Sequence, residues 1–215
     1  AQPLVNQPGD DGVPPELLEF DAEFVRLRSD AVPSFLLSKM HDDERLAPLL
    51  QTACRCLLHE GRFPNEWHGT VETDFKRPKL PPLHARLNLQ NSRDGSEWHL
   101  CLRALQRDNA SMFQARIRAA LTASGIDADL PFRRLAIIRR SKTPTGPATK
   151  LLLDDFHSAG GLLVSPTDAD LRTLHALEQL EARNLPDFPH WLSLRQPATG
   201  LPFIEEVLAT MPLPM

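Results

Sequence analysis

The sequence contains few of the residues that build disulfide frameworks or tight glycine loops. Its 215 residues include three cysteines, ten glycines and no tyrosine. An odd, small number of cysteines does not make a disulfide framework, so we expect Cys54, Cys56 and Cys101 to be reduced, mostly buried thiols. Because reduced cysteines are typical of the cytosol, they favour a cytoplasmic protein.

Long apolar segments are also missing. No run approaches the ~18 apolar residues that a membrane-spanning helix needs, and the amino terminus lacks the basic and apolar blocks of a signal peptide. We therefore expect no membrane partner. The chain instead begins with a stretch rich in Pro, Gly and Asp, which predicts a linker or a trimmed end over residues 1–15 of a larger polypeptide.

Catalytic and cofactor motifs are absent as well. The sequence has no G-x-x-x-x-G-K-[ST], no G-x-G-x-x-G and no G-x-S-x-G. His84, His99 and Cys101 form a candidate zinc set, but they lack the close pairwise spacing of structural zinc ligands. We therefore expect no cofactor, no bound metal and no catalytic residues.

The residues that are present predict a globular α/β fold. Alternating apolar residues predict a three-strand meander over 67–75, 83–90 and 97–105. Two short apolar runs, at 133–140 and 162–166, predict further strands separated by helices. The expected fold is a mixed central sheet, made of the meander plus βαβ-type strands, flanked by helices. Outside the core at 43–183 we expect a helical extension at 16–42 and a Pro-rich helical tail at 184–215.

The order of these elements resembles the core of the restriction-endonuclease-like (PD-(D/E)XK) nucleases over residues 43–165. That core is a helix, a three-strand meander, a helix and a strand. The resemblance implies an acid on the second strand and an acid-x-Lys set on the third, where they hold a divalent ion. Here those strands read H-A-R-L-N-L and H-L-C-L-R. The resemblance therefore implies a pseudo-nuclease, in which the catalytic positions lack their carboxylates.

One alternative keeps the nuclease chemistry. Glu72, Asp74 and Lys76 alternate on the first predicted strand and would share one face of it. If the chain is an enzyme, we expect a metal-dependent nuclease that uses these three side chains. The competing interpretation is a solvated strand edge.

Charge is distributed very unevenly along the chain. Residues 1–75 contain 6 basic and 14 acidic side chains, and residues 151–215 contain 3 and 9. Residues 76–150 contain 15 basic and 5 acidic side chains, a net charge of +10 within a chain whose total is −4. A basic segment of this size indicates an acidic partner, most often nucleic acid. The competing interpretation is that the acidic ends neutralise it internally or between subunits.

The basic side chains that we assign to phosphate binding fall in three clusters, accompanied by the polar residues of one loop. The candidate site consists of Lys76, Arg77, Lys79, Arg103, Arg107, Arg133, Arg134, Arg139, Arg140, Lys142, Thr143, Thr145, Gly146 and Lys150. The interpretation that we favour is a non-catalytic module that binds the phosphate backbone, within a larger bacterial-type protein that handles DNA or RNA. The alternative is a protein–protein interaction module in a multi-subunit assembly.

Overall fold

A computed structural model describes residues 14–37, 42–75 and 81–211 of the chain. Within these ranges it contains eight helices and five strands. The helices are α1 (Pro15–Asp30), α2 (Pro33–Leu36), α3 (Asp42–His59), α4 (Ala110–Ser124), α5 (Pro147–Ser158), α6 (Asp168–Glu181), α7 (Phe188–Arg195) and α8 (Pro202–Leu208). The strands are β1 (Trp67–Glu72), β2 (Ala85–Asn91), β3 (Glu97–Ala104), β4 (Arg133–Ile138) and β5 (Gly161–Val164).

The strands form one mixed sheet in the order β1-β2-β3-β4-β5. The first three strands are antiparallel neighbours, as expected for a meander, and β4 and β5 continue the sheet in parallel. The helices α4 and α5 form the crossovers between the parallel strands. The predicted α/β class, with its mixed sheet and flanking helices, is therefore confirmed.

Local sequence signals set the helix ends. Asn109 caps α4, because its side chain accepts a hydrogen bond from the Met112 backbone amide. Gly125 ends the same helix in the left-handed conformation, with φ 61°. Thr167 and Asp170 form a capping box at the start of α6. These caps fix the helices relative to the strand ends that carry the candidate site.

The sheet separates two hydrophobic clusters. On one face, residues from Leu17 on α1 to Met211 at the carboxyl end form a large cluster that includes α3, α6, α7 and α8. On the other face, α4 and α5 pack on β3 and β4 through a smaller cluster that contains Phe113, Ile117 and Phe156. Trp67, Trp98 and Trp191 are all buried in the large cluster.

Two details differ from the sequence prediction. The first strand ends at Glu72 rather than at residue 75, because β2 begins at Ala85 and no pairing continues past the Glu72–Arg86 pair. The short helix α2 was not predicted; it begins at Pro33, which suits a first helical turn. Both helical ends contribute side chains to the core cluster. Within the described ranges, none of the helices has the length and apolar character needed to cross a bilayer.

Candidate functional site

An open groove lies where β3 and β4 end. Because these neighbouring strands are parallel, the loops that follow them emerge at the same edge of the sheet. The groove has a volume of about 640 Å³. We call it the edge groove; its walls are Leu37, Gln106, Asp108, Arg140, Ser141, Lys142, Thr143, Pro144 and Thr145. It therefore contains four of the residues that the charge pattern assigns to phosphate binding.

Gln106 joins the two loops that form the groove. Its side chain is buried, and its Oε1 accepts hydrogen bonds from the backbone amides of Arg140 (3.0 Å) and Ser141 (3.3 Å). Its Nε2 donates to the Ile138 carbonyl at 2.9 Å. Ser141 Oγ in turn donates to the Gln106 carbonyl at 3.0 Å. This pairing fixes the backbone at the point where the exposed cations begin.

Arg139 lies beneath the groove and is only 5% exposed. Its Nη1 donates to the carbonyls of Leu105 (2.7 Å) and Arg107 (3.0 Å), and its Nη2 donates to the carbonyl of Lys142 (2.5 Å). The guanidinium also lies 4.9 Å from the ring centroid of Phe113. Arg139 therefore connects the loops from inside and does not present its charge to a ligand.

Arg103 is likewise an interior residue. It points to the same side of β3 as Cys101, is 1% exposed and donates from Nη1 to the Pro81 carbonyl. Arg103 and Arg139 are two of the cations that the charge pattern assigns to phosphate binding. Both guanidinium groups are buried and donate to backbone carbonyls, so neither is exposed at the surface of the groove.

Exposed cations occupy the groove rim. Arg140 and Lys142 are both exposed, and Arg140 Nη1 forms an ion pair with Asp168 at the start of α6. Lys150 is exposed in the first turn of α5, which begins at Pro147, directly after Gly146. Hydroxyl groups of Ser141, Thr143 and Thr145 lie along the same wall. The rim thus combines cations, hydroxyl groups and a helix amino terminus.

Arg107, Arg133 and Arg134 are not among the residues of the groove wall. Arg133 and Arg134 open β4 at the opposite edge of the sheet, where Arg133 Nη1 donates to the Gly125 carbonyl at 3.1 Å and Arg134 lies 5.7 Å from the Trp98 ring centroid. Arg107 is half-buried, and its carbonyl accepts from Arg139. Lys76, Arg77 and Lys79 lie outside the described residues. Among the described residues of the predicted site, the structure therefore brings together the cluster around Arg140.

A second polar cluster was not singled out from the sequence. It lies on the part of the sheet that α4 and α5 leave uncovered, where Asn88 and His99 face each other across β2 and β3. His99 Nδ1 is 2.7 Å from Asn88 Oδ1, and its Nε2 is 3.2 Å from Glu97 Oε2. The alternation of the two strands and the hairpin turn place these three residues on one face, so the sequence pattern contains the signal.

His84, His99 and Cys101, the candidate zinc set, do not form a cluster of ligands in the described part of the chain. Among the residues that the structure describes, no three His, Cys, Asp or Glu side chains come together in a way that would hold an ion. His84 is buried and its Nδ1 accepts from the Ala104 amide at 3.1 Å, while Cys101 lies 3.4 Å from Arg86 Nε. Burial raises the pKa of the Cys101 thiol. These contacts do not support the zinc set.

The two acids of the nuclease alternative lie at and beyond the end of β1. Glu72 is the last residue of β1 and pairs with Arg86 at 2.9 Å, whereas Asp74 is exposed beyond the end of the strand. Lys76 falls outside the described residues. The acids therefore do not alternate on one strand face, as the prediction required.

The sequence matches no protein-family model and no curated protein.

Proposed function

We propose that the chain is a non-catalytic module that binds the phosphate backbone of nucleic acid at the edge groove, within a larger DNA- or RNA-handling protein. The observation that carries the proposal is the rim itself. Arg140 and Lys142 are exposed beside three hydroxyl groups on a loop whose backbone Gln106 and Arg139 hold in place. Cations and hydroxyl groups are the side chains that most often contact phosphate oxygens.

Acidic residues limit the strength of this site. Asp108 lies in the groove wall, and Asp168 pairs with Arg140. A backbone phosphate would compete with the Asp168 carboxylate for the Arg140 guanidinium. We therefore expect weak, salt-sensitive binding without base recognition, since few cations are available to displace counterions.

Titration of labelled DNA at about 50 and 200 mM salt tests the proposal, because phosphate contacts weaken steeply over this range. The wild-type protein should bind in a salt-sensitive way. The Lys142→Ala/Lys150→Ala double variant should bind more weakly, and its slope of log affinity against log salt should be shallower by about two. Both lysines are exposed, so these substitutions should leave the fold intact.

Arg93→Ala is the matched control. Arg93 is 78% exposed in the β2–β3 hairpin, at the edge of the sheet opposite the groove. Its removal changes the net charge by one unit without touching the rim, so affinity should stay close to wild type. Equal losses from Arg93→Ala and the double variant would contradict a localised site, as would absence of wild-type binding at low salt.

Asp168→Asn should change DNA affinity in the opposite direction from the lysine substitutions. The amide cannot neutralise Arg140, so the variant should bind DNA more tightly than the wild type, with a steeper salt dependence. Asp168 also lies in the first turn of α6, where an acid favours the helix dipole. A denaturation curve should accompany the titration, since a small loss of stability is expected alongside the gain in affinity.

A further inference from the structure

Phe35 is an exposed aromatic side chain that does not belong to either hydrophobic cluster. It lies in α2 and is 59% exposed, although phenylalanine is among the residues most often buried. The Arg45 guanidinium lies 3.5 Å from the centroid of its ring, and Arg45 Nη1 donates to the Phe35 carbonyl at 2.5 Å. One cation therefore both covers the ring and anchors its backbone.

The ring lies close to the proposed phosphate site. Leu37, two residues after Phe35, ends α2 and forms part of the wall of the edge groove together with Arg140 and Lys142. Two helical residues span about 3 Å along the axis, so α2 forms the border of the groove. An exposed aromatic ring and an exposed cation pair thus lie on neighbouring segments of the same surface.

We propose that the edge groove binds single-stranded nucleic acid and that Phe35 stacks against a base of the strand that leaves it. The inference rests on the proposed function and adds the class of nucleic acid. Unpaired bases expose their faces and stack on aromatic side chains whatever the sequence, whereas a duplex keeps its base faces inside. Arg45 fixes the ring in advance, so little rotational freedom is lost when a base stacks on it.

The charge around the ring favours a nucleic-acid occupant. Arg45 contacts the ring of Phe35, and the groove that Leu37 helps to line contains the cations Arg140 and Lys142. A polyanion with flat apolar groups matches this combination of cations and an aromatic face. A protein partner that docked only through apolar contact would gain nothing from the groove cations.

Fluorescence anisotropy with a single-stranded oligonucleotide and its duplex, each of about 15 nucleotides, tests the inference at about 50 mM salt. Phe35→Ala should weaken single-strand binding by about 5-fold to 150-fold, the range measured for the loss of one stacked base, and should leave duplex binding unchanged. Phe35→Trp should restore single-strand binding, because its ring also stacks.

Val32→Ala is the matched control, since Val32 lies just before α2 and is 57% exposed but has no aromatic face. It should bind single strands like the wild type. Phe35→Leu separates stacking from folding, because leucine keeps an apolar side chain of similar bulk. The leucine variant should lose single-strand binding as the alanine variant does, while both keep the wild-type circular dichroism spectrum.

The outcomes distinguish the two proposals. If the wild type binds neither oligonucleotide, the phosphate-binding function itself fails. If it binds both equally and Phe35→Ala or Phe35→Leu changes nothing, the function stands and the single-strand inference is overturned. If Val32→Ala weakens binding as much as Phe35→Ala does, general apolar contact replaces stacking, which also overturns the inference.

Discussion

The Arg139 guanidinium holds three backbone carbonyls in place beneath the edge groove. Those carbonyls belong to Leu105, Arg107 and Lys142, which come from the loops after β3 and β4. Hydrogen bonds to a charged donor are stronger than neutral ones, and buried carbonyls that lose their donor must bear the cost of desolvation. The side chain therefore contributes to stability through the loops that it connects.

Replacing Arg139 with alanine should lower the free energy of unfolding by about 2–4 kcal/mol, because it removes the donor from the buried Leu105 carbonyl and from two partly buried carbonyls. Urea denaturation followed by circular dichroism measures the change. Arg140→Ala is the control, since its ion pair with Asp168 is exposed and should contribute only about 0–1 kcal/mol. Equal effects of the two substitutions would contradict the interior role of Arg139.

For single residues, the sequence predicts the face on which a side chain lies better than it predicts the burial and hydrogen-bond partners of that side chain. Strand alternation correctly places Arg103 on the same side of β3 as Cys101. It does not reveal that Arg103 reaches the Pro81 carbonyl, or that Arg139 turns inward while Arg140 remains exposed. The difference depends on carbonyls that are distant in sequence, and a local charge pattern contains no information about them.

Element boundaries were predictable where the signal is local. The caps at Asn109 and Thr167 and the left-handed Gly125 mark helix ends in the sequence itself. The end of β1 is different, because it depends on where β2 begins to pair, and the nuclease alternative depended on that boundary. The helix α2, with four residues, is too short to show a periodic pattern.

Glu60 connects elements that lie far apart in the sequence. It follows α3 and is fully buried, with its two carboxylate oxygens accepting from the amides of Ala198 (2.8 Å) and Thr199 (2.7 Å). Gln196 Nε2 also donates to its carbonyl at 2.8 Å. Burial is the largest influence on this group and raises the pKa of Glu60, although the Thr199 and Ala198 donors act in the opposite direction.

This raised pKa predicts a pH-dependent contribution to stability. The folded state holds the Glu60 proton more tightly than the unfolded state, so the contribution is fully present below the ordinary value of 4.5 and is lost as pH rises through the folded pKa. The free energy of unfolding of the wild type, measured relative to Glu60→Gln, should therefore fall over that interval.

Denaturation curves for both proteins across about pH 4 to 8 provide the measurement, and the slope of their difference should not exceed about 1.4 kcal/mol per pH unit for one proton. Glu60→Gln removes titration and one acceptor oxygen, so its absolute stability should also be lower. A difference that rises with pH would show instead that the backbone donors outweigh burial.

Across the whole molecule, ion pairs connect the acidic ends to the basic middle. Arg140 pairs with Asp168, and Arg86 pairs with Glu72 at 2.9 Å. The two ends also pair with each other, as between Arg55 and Glu181 at 2.6 Å. Part of the basic excess is thus neutralised within the chain, which net charge by segment does not reveal. The exposed side chains of Arg140 and Lys142 at the groove rim remain the basis of the functional proposal.

The ends of the chain and the sheet share one hydrophobic cluster, which predicts that they unfold together. Trp191 on α7 contacts Phe24 on α1, with ring centroids 5.1 Å apart, and its Nε1 donates to Asp21 at 2.8 Å. If the helical ends were separate from the central domain, they would not share one hydrophobic cluster with the sheet. We therefore expect one cooperative transition despite the predicted division at residues 42 and 184.

Two tryptophan variants test this, since the chain has three tryptophans. Trp67→Phe/Trp98→Phe leaves Trp191 to report on α7, and Trp191→Phe leaves the two sheet tryptophans. In each variant the fluorescence and far-ultraviolet circular dichroism curves in urea should coincide, because loss of the α1–α7 contact exposes the same cluster that supports the sheet. If Trp191 reports a transition at lower urea than circular dichroism does, the helical ends form a separate cooperative unit and the predicted domain division holds.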